Sequence, residues 1–152
     1  IEFAKPEDVT QIVALGCLSF EENGLNTAGI PKSIDKALQI VLNCIIEHVV
    51  LVKRNEQNPK LIDGILIAQA ATDWWTETVV LHSLMFFIKP EFRTFKLVKE
   101  FIDEIKKYVI LNKTALVFDV FGQMNASKKS KLMKYLGFKD FGSALIFTPG
   151  ET

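Results

Sequence analysis

The chain reads as an α/β domain whose elements run β-α-α-β-β-β-α-β-α-β, and three observations lead there. Its 152 residues match the usual size of one globular domain, so residues 1–152 are expected to form a single unit. Apolar residues recur at helical spacing up to Ile45, change to strand-like runs from Val49, and return to helical spacing after Pro90. Clusters of Asn, Gly, Pro and Asp fall between these runs, where loops are needed.

Each element has its own signal. Residues 1–4 alternate apolar and polar, which suits a short strand, and Pro6 or Glu7 begins a helix with Asp8 in its first turn. Ile12, Val13, Leu15, Leu18 and Phe20 form its apolar face, and a loop follows over residues 21–31. Ser33 can cap a second helix whose stripe is Ala37, Ile40, Val41, Cys44 and Ile45. Residues 49–53, 61–71 and 78–88 read as a three-strand meander, ended by Lys89-Pro90 because proline cannot donate a ladder hydrogen bond. Phe95, Val98, Phe101, Ile102, Ile105 and Val109 then mark a long amphipathic helix. A buried strand is expected over residues 115–121, a short helix over 128–136 stopped by Gly137, and a last strand over 141–147.

Composition narrows the classes of function. With 49% hydrophobic and 24% charged residues the chain is neither intrinsically disordered nor collagen-like. Two cysteines, Cys17 and Cys44, are too few for a disulfide framework or a four-thiolate zinc site, which points to a reducing, cytoplasmic compartment. No His/Cys/Asp cluster has ligand spacing, so no metal is expected, and His48 near a helix end is read as satisfying terminal carbonyls. Gln39, Asn43, Glu47 and His48 interrupt the longest apolar run, so no membrane span is expected, and the opening IEFAKPEDVT does not resemble a secretion signal. Residues 1–90 carry 7 Lys+Arg against 11 Asp+Glu, and residues 91–152 carry 11 against 7. This balance offers no general basic surface for nucleic acid, but the second half can hold a compact anionic ligand or simply present solvated lysines.

Two strings bear on function. FFIKPEFR, residues 86–93, resembles the hydrophobic-x-Pro-x-x-Arg approach to the acetyl-CoA loop of the GNAT superfamily of N-acetyltransferases. KYLGFKDFG, residues 134–142, resembles that family's Leu-Gly-Phe ending of the last helix, and the order of elements extends the likeness over nearly the whole chain. The resemblance extends to the divergent GNAT-like proteins encoded by tailed phages. It implies a mixed, mostly antiparallel sheet splayed between its fourth and fifth strands, with acetyl-CoA as co-substrate in the wedge. Pantetheine would then pair with Phe87 and Ile88, and pyrophosphate would rest on the turn formed by Arg93, Thr94, Phe95, Lys96, Leu97 and Val98. The family's loop reads Gln/Arg-x-x-Gly-x-Gly/Ala, and here Lys96 and Val98 stand at the two small positions.

A helix N-terminus presents unpaired amides and about half a positive charge, so phosphate oxygens are stabilised there, and Arg93 and Lys96 add charge. Lys128 and Lys129 lie in the first turn of the last helix, against the macrodipole, with Asn125 or Ser127 as cap; a CoA phosphate would compensate them. His82 aligns with the position where histone-type members carry a catalytic glutamate, and an imidazole near neutral pKa suits a general base; the other reading is a hydrogen-bonded core residue. Ser83 is a weaker candidate. Met133 occupies the place of the family's general-acid tyrosine, with Tyr135 two residues on. Trp74 and Trp75 suit an acceptor pocket or the edge of a core, and Glu21 and Glu22 suit a cationic amine or solvent. The implied activity is N-acetyl transfer to a small-molecule or peptide amine by direct attack in a ternary complex, with a homodimer left open. The alternative is a catalytically inactive GNAT-fold binding or assembly protein.

Overall fold

The computed structural model describes residues 1–24, 32–72, 77, 79–119 and 126–140. In chain order these form β1 (Glu2–Phe3), α1 (Val9–Glu22), α2 (Ile34–Glu47), β2 (Val49–Arg54), β3 (Ile62–Thr72), β4 (Val79–Ile88), α3 (Phe95–Leu111), β5 (Ala115–Val117) and α4 (Ala126–Tyr135), with single 3-10 turns at Pro6–Asp8 and Pro90–Phe92. The expected last strand, residues 141–147, lies outside the described residues.

The sheet order is β1-β2-β3-β4-β5. The first four strands pair antiparallel, and β5 runs parallel to β4 because α3 carries the chain back across the sheet between them. This is the mixed, mostly antiparallel sheet expected. Apolar side chains alternate between its two faces, so β2 and most of β3 are buried on both sides. On one face Leu51, Leu66, Ala68, Leu81 and Ile88 meet Phe101, Ile102 and Ile105 of α3 and Met133 and Leu136 near the end of α4. On the other, Val50, Val52, Ile65, Ile67 and Phe87 meet Ile12, Val13 and Leu15 of α1 and Val41 and Cys44 of α2. Each fully buried side chain of this kind contributes about 1.5–3 kcal/mol of burial.

The helix boundaries follow from local chemistry. The Ser33 hydroxyl accepts from the Lys36 amide at 3.3 Å and starts α2; the Thr94 hydroxyl accepts from the Leu97 amide at 3.1 Å and starts α3. Gly137, at φ +92°, ends α4 with Phe138 N–H donating to the Met133 carbonyl at 3.0 Å and Gly137 N–H to that of Lys134 at 2.9 Å. α1 begins at Val9 rather than at Pro6 or Glu7, since Asp8 accepts from the Lys5 amide at 2.9 Å and binds Arg54, which holds Pro6–Asp8 as a separate turn. α4 begins two residues earlier than expected, at Ala126. Leu116, Val117 and Phe118 are half-buried where a buried strand was expected, and β5 is described only over Ala115–Val117. Leu18 and Ile40, expected on apolar faces, stand 48% and 40% exposed: Ile40 lines a cleft between α1 and α2, and Leu18 falls off the stripe of Ile12, Leu15 and Ser19 that α1 buries.

Candidate active site

Two irregularities in β4 shape the site. Opposite the step from Ile67 to Ala68, β4 passes from Met85 to Ser83, so Leu84 is the extra residue of a bulge. Because of it, His82 and Met85 face the α1/α2 side together, while Leu81, Ser83, Phe86 and Ile88 face α3. The second irregularity is the end of the β4–β5 ladder. Its last pair is His82 with Val117; beyond it the Asp119 amide donates to the Ser83 hydroxyl at 2.9 Å, and β4 runs on to Ile88 without β5. Among the described residues the β4–β5 ladder therefore ends beside Ser83, and Phe87 and Ile88 lie beyond that point, leading to α3.

At the α3 end, the first two helix amides, of Phe95 and Lys96, have no hydrogen-bond partner among the described residues, whereas the Thr94 hydroxyl takes the third, of Leu97. Lys96 points into solvent with its side chain 87% exposed, 4.0 Å from Glu100. Leu97 and Val98 belong to the core under the helix rather than to the surface a phosphate would touch. Phe95 is half-exposed and meets Tyr135 of α4 edge to face, ring centroids 5.8 Å apart.

Arg93 is fixed by three contacts. Its Nε donates to the Ile88 carbonyl at 2.7 Å, its guanidinium lies 5.2 Å over the Phe87 ring, and its second terminal nitrogen meets Glu22 at 2.5 Å. Glu22 is the last residue of α1, where a carboxylate opposes the helix dipole, and the Arg93 charge offsets it. One residue on, the Asn23 side chain accepts from Lys129 Nζ at 3.3 Å. Lys128 is exposed. Thus Arg93 and Lys129, expected to serve one anion site, both reach the C-terminal end of α1, whose part in holding them the sequence did not signal. Asn125 lies outside the described residues, as do Trp74 and Trp75.

His82 is half-buried, opposite Gln69 on one side and Val117 on the other, and no hydrogen bond to its imidazole is found among the described residues. Ser83 is buried with its hydroxyl engaged by Asp119. Met133 is buried in the core, and Tyr135 is 78% exposed beside Phe95. Glu21 pairs with Lys32 at 2.6 Å, so both acidic residues at the end of α1 already hold cations. His48 differs from expectation: its amide donates to the Cys44 carbonyl at 3.0 Å, but its Nδ1 is buried without a partner among the described residues. Among the described residues no group of three or more His, Cys, Asp or Glu is placed to hold a metal ion, and no helix is long and apolar enough to cross a membrane.

This arrangement is the GNAT fold: a mixed sheet whose fourth strand runs on past its pairing with the fifth, a helix starting just after that strand, and a last described helix running into Leu136-Gly137-Phe138. No family model matches the chain and no curated protein matches it. Solved structures do. The aminoglycoside 6′-N-acetyltransferase of Acinetobacter baumannii superposes with a TM-score of 0.70 at 14% identity, covering 98% of this chain and 96% of that one. An acetyltransferase of Trypanosoma brucei gives 0.69 at 15% identity, covering 97% and 96%. A further aminoglycoside N-acetyltransferase, solved with CoA, gives 0.69 at 14% identity, covering 97% and 91%.

Proposed function

We propose that the protein is an acyl-CoA-dependent N-acyltransferase, with acetyl-CoA as the simplest donor and a small-molecule or peptide amine as acceptor. The observation that carries this reading is the end of the β4–β5 ladder at His82 and Val117, which leaves Phe87 and Ile88 leading directly to the start of α3. A CoA molecule fits these residues. Its pantetheine amides would lie along β4, and its pyrophosphate would meet the Phe95 and Lys96 amides, Arg93 and Lys129. When bound, acyl-CoA would supply a thioester, whose carbonyl carbon bonds to the amine as CoA leaves as the thiolate.

The chain's own residues would do the rest. His82, on the face of β4 that it shares with Met85, takes the proton from the attacking amine directly or through water. Arg93 must turn from Glu22 toward phosphate. The buried, engaged hydroxyl of Ser83 is a poor nucleophile, which favours direct attack in a ternary complex over a covalent enzyme intermediate.

A second reading, a non-catalytic GNAT-fold binding or assembly protein, is favoured by Lys96 and Val98 at the small positions and by the buried Met133 where the family carries its tyrosine. Calorimetry with acetyl-CoA and turnover across an amine panel separate the two. Binding with turnover supports the transferase. No binding at millimolar acetyl-CoA supports the second reading, and binding without turnover leaves a CoA-binding module.

A further inference from the structure

The cleft between α1 and α2 is an apolar cavity of about 290 Å³ whose floor touches β4 at one residue, Met85. Gly16 and Cys17 of α1 and Ile34, Ala37 and Ile40 of α2 form its walls. Ile34 and Ile40 are 46% and 40% exposed, so the cleft leaves apolar area uncovered that a ligand would bury. Its depth depends on Gly16: a Cβ there would sit 3.1 Å from the Met85 methyl. The charged side chains in the described lining are Lys36 and Lys32, the latter paired with Glu21 at 2.6 Å, so no unpaired carboxylate faces the cleft among the described residues. Such a lining disfavours an ammonium acceptor and suits a neutral hydrocarbon chain.

The sheet decides what reaches this cleft. A pantetheine arm running from the start of α3 past Ile88 and Phe87 toward the bulge would meet Ser83, where the Asp119 amide ties the chain after β5 to β4. The acyl group must leave the plane of the sheet there. On the α3 side, Phe86 packs edge to face on Phe101 and Phe118, with centroids 5.4 and 5.7 Å apart, so a chain there would have to part these rings. On the α1/α2 side, Met85 opens onto the cavity, and His82 shares that face.

We propose that the donor carries an acyl group longer than acetyl, a chain of about eight carbons, held in the α1–α2 cleft against Met85 and Gly16. At roughly 30 Å³ for each small group, eight carbons take about 240 Å³, which the cavity of about 290 Å³ accommodates. This inference rests on the acyltransferase reading. In the reaction the amine nitrogen bonds to the thioester carbonyl carbon and the carbon–sulfur bond breaks. The amine's proton passes to His82, and the departing thiolate takes one from solvent. The chain is transferred intact.

The test compares acetyl-CoA, octanoyl-CoA and free octanoate by calorimetry on the wild-type protein and on Ala37→Trp, which fills the cleft. Complete burial would give about fourfold in affinity for each added methylene. Since the cleft is open on one side, octanoyl-CoA is expected to bind at least about tenfold more tightly than acetyl-CoA, with the difference abolished in Ala37→Trp and acetyl-CoA affinity unchanged. A second measurement needs no variant: octanoyl-CoA should protect Cys17 from alkylation while acetyl-CoA does not, with the buried Cys44 as the unreactive control. Equal affinity for the two thioesters, or Cys17 left unprotected, overturns the chain-length proposal and leaves the acyltransferase reading standing. Failure of both thioesters to bind overturns the acyltransferase reading itself. Octanoate binding as tightly as octanoyl-CoA makes the cleft a site for free carboxylates and overturns the proposal too.

Discussion

Glu22 holds the guanidinium that a CoA phosphate needs, so Glu22→Gln should strengthen CoA binding. The Arg93–Glu22 pair is partly exposed, with side chains 39% and 34% accessible, which places it among ion pairs worth about 0.2–1 kcal/mol. Releasing Arg93 from that competition converts to a gain of about 1.4- to 5-fold in affinity. Stability should hardly change. The lost pair is offset by removing a negative charge from the C-terminus of α1, where the dipole penalises it by about 0.3–1 kcal/mol. The assay is calorimetry with CoA on wild type, Glu22→Gln, Arg93→Gln and the double variant. Measured at about 0.01 M and about 0.1 M salt, where the screening length falls from roughly 30 to 10 Å, the gain should shrink at the higher salt. In the double variant it should vanish. A gain that persists without Arg93, or weaker binding in Glu22→Gln, refutes the claim that Arg93 is the anion ligand this carboxylate withholds.

Two further substitutions test the site. His82→Gln should leave CoA affinity and melting temperature near wild type while lowering turnover by about 10²-fold or more and removing the acid limb of the pH–rate profile; a lower melting temperature with normal turnover would make it a packing residue. Thr94→Ala should cost about 1 kcal/mol of stability by uncapping α3, read as a lower denaturation midpoint, and should strengthen CoA binding, because the Leu97 amide is freed for phosphate.

The sequence carried most of the fold because its local signals agree with one another. Ser33 and Gly137 mark helix ends that the structure places at Ile34 and Tyr135, and Phe101, Ile102 and Ile105 fall on the buried face their spacing predicts. What stayed hidden was whatever depends on which elements meet. Arg93 and Glu22 are 71 positions apart, and Lys129 and Asn23 are 106 apart. No periodicity relates either pair, so cations that look free along the chain prove to be held by α1. The bulge at Leu84 has no Gly, Pro, Asn or Asp in β4 to signal it, yet it alone brings His82 and Met85 to one face. Ile40 has helical spacing but lines a cavity between α1 and α2 where packing was expected, and Leu18 falls off the stripe of Ile12, Leu15 and Ser19 that α1 buries.

The position of α1, on which both Glu22 and the cleft depend, is set at its other end by a buried carboxylate. Asp8 is almost fully inaccessible; Arg54 donates to its two oxygens at 3.1 and 2.8 Å and also binds Glu2, and the Lys5 amide donates at 2.9 Å. Burial pushes the Asp8 carboxyl pKa up, but the Arg54 and Lys5 hydrogen bonds outweigh it and hold the pKa below its ordinary value. A depressed folded pKa gives stability that is fully present above the unfolded value of about 3.9 and is lost as the pH falls through the folded one. Asp8→Asn should therefore cost about 3 kcal/mol at neutral pH, the lower end for removing one partner of a buried pair, because Glu2 still neutralises Arg54. At roughly 2–4 °C per kcal/mol for a chain of this length, the melting temperature should fall by about 6–12 °C. The gap between wild type and variant should close as the pH drops below the folded pKa of Asp8, and Glu2→Gln, whose carboxylate is half-exposed, should cost only about 0.2–1 kcal/mol. Denaturant melts of the three proteins from neutral to strongly acid pH read all of this directly. A gap that stays constant across that range would mean Asp8 acts through shape rather than charge, and an equal loss in Glu2→Gln would move the anchor of α1 from Asp8 to Arg54 alone.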